Sequence, residues 1–588
     1  MILNILKAIV FVACYLFLLV ANEAQAFDEK KWSKIFLKKS DDYLVDDDSF
    51  YLSQGRDLRG EVKVLSQKLL ETPEGNFNNH VACRFPARSH WLRKSQGKLE
   101  VGVPKFCKDY WSYRKSFNVD QLTLVFPTEY FGNPASMFGH TFLKLSNSQQ
   151  EAMLGYSIAY GADISDKPGL VYAFKGVFGY YPGYLSVNPY YTSTNLYNDM
   201  EDRDIWELAI KTTPEKIDLL LKHLWELKDK KITYYFFSVN CSSLLLDILQ
   251  NVDENISPKE SERAFFFPMD MVISLRDAGM IEKQLYRPSM SSRLSRLSSN
   301  LSGATRKNEP QIREDFHKDG NLKSELYDLD LLLHYWSEKL RYDFKNGDID
   351  RDTYSQKYLA VLGRLSKIPK PRKQTYTPSY SILNSRSPRL IGVGMQRIGG
   401  RSVQPVIRFR PANHGQDDPP YGFPIGSILN IFDSRVSFVS GKPILDTFTL
   451  LHLASWQQST SLLRSFSWEV ESSYERDNAG WLIGGALGKS KIISNKVQLS
   501  LLLGMAGSDV QDDRDRSLNI QLISRLRLRS GGFFSNSMLR LLQSKDNQKH
   551  VLQMQGGYML DEESALLLSL KSFSEGKQQL SAAVNRYF

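Results

Sequence analysis

Cys241 is the residue from which a chemistry can be built. It stands in YYFFSVNCSSLLLDIL, residues 234–249, between an aromatic run and a leucine-rich helical pattern. A helix that starts at Asn240 or Cys241 places the thiol where unpaired backbone N–H groups and the positive end of the helix dipole favour a thiolate. A thiolate nucleophile needs a base, and GNPASMFGHTFLKL offers His140 between a Gly-rich turn and an apolar strand, so that its ring projects from the strand's start. The plain alternatives are a buried cysteine packing as a small hydrophobe and a histidine with a structural role.

The cysteine inventory favours the reactive reading. Residues 1–26 have a basic start at Lys7, the apolar run AIVFVACYLFLLV, and small residues at Ala24 and Ala26. That is the pattern of a signal peptide cleaved after Ala26, and the run is shorter than the ~20 apolar residues of a spanning helix. Cys14 leaves with it and has no convincing lipobox. In an oxidising compartment Cys83 and Cys107, both in polar, loop-like surroundings, pair as a disulfide worth about 3 kcal/mol. Cys241 is then the odd thiol.

The 588 residues are too many for one core, and the net charge of +10 is spread along the chain. Export argues against nucleic acid, so attraction to anionic lipid headgroups is the expected use of the charge. The pattern is α+β. A helical region at 27–118 carries the disulfide. A mixed domain at 119–285 holds strand-like LTLVFP and TFLKLS and helical patterns at 213–228, 241–251 and 269–278. The segment 286–385 combines a Ser-rich linker, RPSMSSRLSRLSSNLSGATRKNEP, with two amphipathic helices in 320–366.

Residues 386–588 change character to about a dozen alternating segments parted by turn clusters. Leu518, Ile520, Leu522, Leu526 and Leu528 fall opposite Asn519, Gln521, Arg525, Arg527 and Arg529. A soluble sandwich alternates too. Export, strand length and the terminal aromatic Phe588 favour an outer-membrane β-barrel of about twelve strands, apolar side outward. Arg586 breaks the apolar side of the last strand, at an end where it can snorkel.

At this point the sequence resembles a known family. NPASMFGHTFLKL, GVFGYYPGYLSVNPYY, EDRDIWELAI and YYFFSVNCSSLLLDIL are similar to the N-terminal periplasmic domain of Lnb-type lipoprotein N-acyltransferases. CRFPARSHWL and RFRPANHGQDDPPYGFPIGS resemble blocks of longer members. The resemblance implies a permuted papain-like (NlpC-like) catalytic domain. It also implies a two-step transfer from a phospholipid donor, through a Cys241 thioester with His140 as base, to the N-terminal amine of a lipoprotein. Backbone N–H groups at Cys241 and its helix turn are the expected oxyanion donors. Ser136 and Asn240, beside the two candidates, are expected to position them. No residue is assigned as orienter of His140, since MLGYSIAYG offers only Tyr156, Ser157 and Tyr160.

Rival readings are a cell-wall peptidase or amidase with the same dyad, a phospholipase or thioesterase with water as acceptor, and a transport or assembly barrel without catalysis. The aromatic stretch 175–191 reads as a packed loop or as the lining of an acyl groove. His414, in RPANHGQDD, has no second ligand at metal-like spacing, and a structural role is expected. No cofactor or metal motif is found.

Overall fold

The computed structural model describes residues 27–588 apart from 40–41, 98–101, 131–136, 165–174, 177, 257–264, 320–328, 369–375, 379, 416–417, 419–425, 457–465, 477–479, 495, 509–516, 544–547 and 575. The signal-peptide reading of 1–26 and the positioning role of Ser136 fall outside the described residues.

The central domain is built on a seven-stranded antiparallel sheet. Its spatial order is Ile232–Tyr234, Tyr181–Pro189, Tyr156–Ala162, Phe142–Ser146, Gln121–Pro127, Ile205–Ile210 and Ile281–Arg287. Gln121–Pro127 and Phe142–Ser146 are buried almost throughout, as strands covered on both faces must be. The helix Cys241–Val252 packs on this sheet and is itself buried on every side from Cys241 to Asn251. It is buried all round because the sheet lies on one side and the helices Glu29–Ile35, Pro214–Leu227 and Pro268–Asp277 on the others, with Ser242, Ser243, Asp247, Gln250 and Asn251 as its buried polar residues. Each buried leucine contributes about 1.5–3 kcal/mol, so Leu244, Leu245, Leu246 and Leu249 fix the helix and with it the position of its first residue.

The N-terminal helical region is keyed to this domain by charge as well as by apolar burial. Arg88 is fully buried among the rings of Phe36, Phe50 and Phe85 at 4.3, 3.9 and 4.2 Å, with Nε 3.0 Å from Glu226 of helix Pro214–Leu227. Cys83 and Cys107 form a disulfide closing 24 residues of sequence. Replacing both by serine is expected to cost the helical region about 3 kcal/mol, read as a lowered denaturant midpoint, with barrel heat-modifiability unchanged. An unchanged midpoint would refute this.

The serine-rich stretch expected to be a linker is helical, over Met290–Asn300 and again over Gly303–Asp319. Ser289 caps the first helix by accepting from Ser292 N–H at 3.2 Å. Leu294, Leu297 and Leu301 form a stripe buried against Leu332 and Trp336 of helix Leu329–Lys345. The serines occupy the remaining faces, and their composition masked the leucine period.

Leu390–Ile398, Gln404–Arg410 and the ten strands from Ser427–Val439 to Gln578–Tyr587 pair antiparallel in sequence order. Leu390–Ile398 also pairs with Gln578–Tyr587, which closes a twelve-strand barrel. The alternation runs as the sequence indicates: Leu518, Ile520, Leu522 and Leu528 are exposed outward, while Asn519, Gln521, Arg525 and Arg527 are buried in the lumen. Arg586, on the outward side, pairs with Glu563 at 2.7 Å at the rim.

The lumen is crossed by ion pairs. Arg525 holds Glu469 at 3.1 Å and Arg540 holds Glu471 at 2.5 Å. Lys571 reaches Glu475 from the opposite wall, six strands away. Asp418 is drawn inside by Arg410 at 2.6 Å and the Tyr587 hydroxyl at 2.8 Å. Among the described residues no helix is long and apolar enough to cross a membrane; the barrel crosses with strands.

Candidate functional site

Cys241 is the first residue of its helix, and Asn240 is the cap. The Asn240 side-chain oxygen accepts from Ser242 N–H at 3.1 Å, Ser243 N–H at 3.3 Å and the Ser242 hydroxyl at 2.6 Å. Its amide nitrogen donates to the carbonyls of Phe236 at 3.0 Å and Phe266 at 2.6 Å. Asn240 therefore locks the aromatic loop before the helix and the approach to helix Pro268–Asp277 onto the same turn. The cap also consumes the N–H groups of Ser242 and Ser243, so two of the donors expected for an oxyanion are engaged. The N–H groups of Cys241 and Thr141 both lie against the sulfur and remain for that task.

Thr141 brings the second candidate to the first. His140 immediately precedes it, held by its backbone N–H on Pro127 O at 3.1 Å, two residues before strand Phe142–Ser146 begins. Gly139 makes the turn, at φ +85°, where a Cβ would press on the Phe126 ring at 3.1 Å. The half-buried imidazole lies 5.4 Å, ring to ring, from Tyr197. The thiol is buried at the wall of a small pocket formed by Phe138, Gly139, Tyr234, Phe236, Phe267 and Pro268.

Burial reverses the charge state expected from the helix start. It pushes the Cys241 thiol up from its usual range, and the opposing pull of Thr141 and the Arg203 guanidinium does not offset it. Burial and the nearby Arg203 cation hold the His140 imidazole down at about 3. At neutral pH both groups are neutral, so they do not rest as a preformed thiolate–imidazolium. Carbamidomethylation of Cys241 is accordingly expected to rise with pH later than that of an ordinary thiol at ~8.5. A rate already level at pH 7 would refute this.

Arg203 carries no role in the sequence reading, although it lies inside the EDRDIWELAI block. It is fully buried, donating from Nε to Thr128 O at 2.5 Å and from Nη2 to Pro127 O at 3.0 Å, with Glu201 at 2.8 Å from Nη1. It stacks over Tyr197 at 5.1 Å. This places a fixed cation beside both candidates, where an orienting carboxylate or amide was sought. Glu129, buried between Arg203 and Ser427 of the barrel, is held well above the carboxylate range by burial.

In the described part of 175–191, Tyr181 and Tyr190 are buried, whereas Phe178, Tyr180, Tyr184, Val187 and Tyr191 are exposed. Gly176 lies under Phe236, where a Cβ would stand 2.2 Å from the ring, and its carbonyl accepts from Phe236 N–H at 2.9 Å. His414 ends the short strand Ala412–His414, paired with Leu429. His452, Glu469 and Glu471 gather metal-ligating atoms within 4.8 Å inside the barrel. Arg525 and Arg540 already neutralise both carboxylates, so the set needs no cation.

Two joints fix the pocket to the barrel. Phe138 and Phe267 pack on Ala412, Leu429 and Ile431 of the barrel wall. Arg389, just before the first barrel strand, meets Asp270 of helix Pro268–Asp277 at 2.6 and 3.2 Å. The same guanidinium donates to Phe265 O and Phe588 O, each at 3.0 Å.

Residues 109–277 match the Lnb N-terminal periplasmic domain. Residues 384–587 match a domain of unknown function (DUF7840) and residues 25–95 another (DUF7843). The Lnb-like match spans six of the seven strands of the sheet, His140, Cys241 and the helices Pro214–Leu227, Cys241–Val252 and Pro268–Asp277. None of the curated proteins compared matches the chain. Among solved structures, a KdgM porin in complex with disordered oligogalacturonate is 12% identical over 34% of this chain and 99% of its own, with a TM-score of 0.23. The NanC porin is 8% identical over 34% and 99%, at 0.25, and the Acinetobacter baumannii outer membrane protein Omp33 is 7% identical over 34% and 99%, at 0.19. The barrel itself is defined by its strand pairing and outward apolar face. With the periplasmic Lnb-like domain, it makes this an exported protein of the outer membrane.

Proposed function

We propose that the chain is a cysteine-dependent acyltransferase with a permuted papain-like catalytic domain. It would move a fatty acyl chain from phospholipid, through a thioester on Cys241, to the N-terminal amine of bacterial lipoproteins. The observation that carries this reading is a buried thiol in an aromatic pocket seated on the outer wall of a membrane barrel.

His140 takes the Sγ proton as the sulfur attacks the ester carbonyl. The S–C bond forms, the ester C–O bond breaks, and the proton passes to the departing lysophospholipid oxygen. The acceptor amine then attacks the thioester, the N–C bond forms, the C–S bond breaks, and the amine proton returns to the thiol by way of His140. The N–H groups of Cys241 and Thr141 support an oxyanion in both steps, a role usually worth about 3–4 kcal/mol per donor. A neutral resting thiol suits this sequence, because a buried thiolate with no lipid bound would be costly to hold.

The peptidase reading wants a polar, open groove, whereas the walls beside Cys241 are Phe138, Phe236 and Phe267. The transport reading wants an open lumen, whereas ion pairs cross this one. The test is the intact mass of the full protein after incubation with phospholipid and no acceptor. A hydroxylamine-labile acyl adduct absent in Cys241→Ala supports the transferase. Neither adduct nor lysolipid from folded protein sinks it in favour of peptide cleavage.

A further inference from the structure

We propose that the donor's acyl chain reaches Cys241 sideways from the membrane, along the outer wall of strands Ser427–Val439 and Lys442–Ser455 and between Phe138 and Phe267. The occupant rests on the acyl-transfer reading; the route rests on where these side chains lie.

Asn430 faces the lumen cavity and Ile428 joins the lumen cluster with Leu502 and Ile523, so Leu429 and Ile431 alternate to the outside. Their register partners Leu453 and Leu451 share that face. On a bare barrel this face belongs to lipid. Here Phe138 and Phe267 cover it, with Phe237 and Phe265 alongside. The same two phenylalanines line the thiol pocket. One side of the aromatic pair therefore meets the nucleophile and the other meets the membrane wall.

The wall continues beyond the covered rungs. Phe432, which packs in the same cluster, stacks on Phe448 at 6.5 Å, and Phe448 meets Trp481 at 6.2 Å. Leu450 and Trp481 are exposed there, in the position of lipid-facing residues. An apolar track thus runs from the bilayer to the thiol without passing water, and a phospholipid acyl chain is the substrate part that requires one. The acceptor's amine, a polar group, gains nothing from this path. The pocket beside Cys241 has a volume of only about 10 Å³, too small for an acyl chain. The Phe138 and Phe267 rings, stacked at 4.8 Å and 22°, must part to admit it.

The test uses full-length Cys241→Ala protein in vesicles of phosphatidylethanolamine and phosphatidylglycerol containing a phosphatidylethanolamine with a diazirine at its acyl terminus. Photolysis is expected to label peptides carrying Phe138 or Phe267 as well as the wall at Phe448 and Leu450. Replacing Leu451→Arg is expected to abolish the label at the two phenylalanines. Label on the wall alone, in protein with residue 451 unchanged, overturns the route. Photolysis makes no use of Cys241. Labelled phenylalanines beside an unmutated enzyme that forms no acyl adduct would refute transfer and keep the route; an adduct without such label would do the reverse.

Discussion

Cys241→Ala is expected to leave no hydroxylamine-labile adduct and to reduce acyl transfer to background, while the far-UV spectrum and barrel heat-modifiability stay unchanged. Both halves of that expectation follow from the site. In the proposed transfer Sγ alone forms the covalent intermediate, so its loss would not be compensated by binding. The helix that carries it is fixed by Leu244, Leu245, Leu246 and Leu249 and by the Asn240 cap, none of which depends on the thiol. His140→Ala keeps the nucleophile but removes its proton acceptor, and a loss of about 10²–10⁴-fold is expected. Because both groups rest neutral, the histidine variant should recover partly at high pH, where hydroxide generates the thiolate. Lysolipid release by Cys241→Ala at the unmutated rate would assign the chemistry to another residue.

Arg389→Ala is expected to cost about 3–5 kcal/mol, the usual consequence of removing one member of a buried ion pair. The buried guanidinium makes contacts to both Asp270 oxygens, to Phe265 O and to Phe588 O. Its loss leaves the Asp270 carboxylate buried without this counter-charge, with Phe267 N–H donating to it at 2.8 Å. Asp270 sits at the start of the helix whose first residue, Pro268, borders the thiol pocket. The variant should show a separate, lower melting transition for the Lnb-like domain in detergent, with loss of adduct formation from vesicle lipid. Asp270→Asn, which keeps hydrogen bonds without the charge, should fall between the two. A single transition at the unmutated temperature would show that the phenylalanine contacts alone hold the joint.

Local periodicity carried much of this structure. The period of two in SLNIQLISRLRLR separates wall from lumen residue by residue, because membrane and lumen impose opposite polarity on neighbouring positions. The start of helix Cys241–Val252 was legible for a similar reason, since asparagine before an apolar helical run is a strong cap. The charge state of Cys241 was not legible. It is set by Phe138 and Phe267, which come from distant segments, and burial outweighs the dipole of the helix. Arg203 and the Arg389–Asp270 pair escaped for the same cause: their partners are separated from them in sequence by 75 residues for Thr128 and 119 for Asp270. Serine content misled at Met290–Asn300, where three leucines at helical spacing decided the outcome.

The Arg389 contacts also impose an order of events. Arg389 directly precedes strand Leu390–Ile398, Phe588 directly follows strand Gln578–Tyr587, and these two strands are hydrogen-bonded neighbours. The three-way clasp of Arg389, Asp270 and Phe588 can therefore form only once the first and last strands have met. A chain still in transit, with its seam unzipped, lacks this clasp and has only the phenylalanine packing to seat the thiol domain. Closure of the seam and full docking of the thiol domain thereby become one step, and an unfinished barrel holds the Cys241 pocket by a single joint.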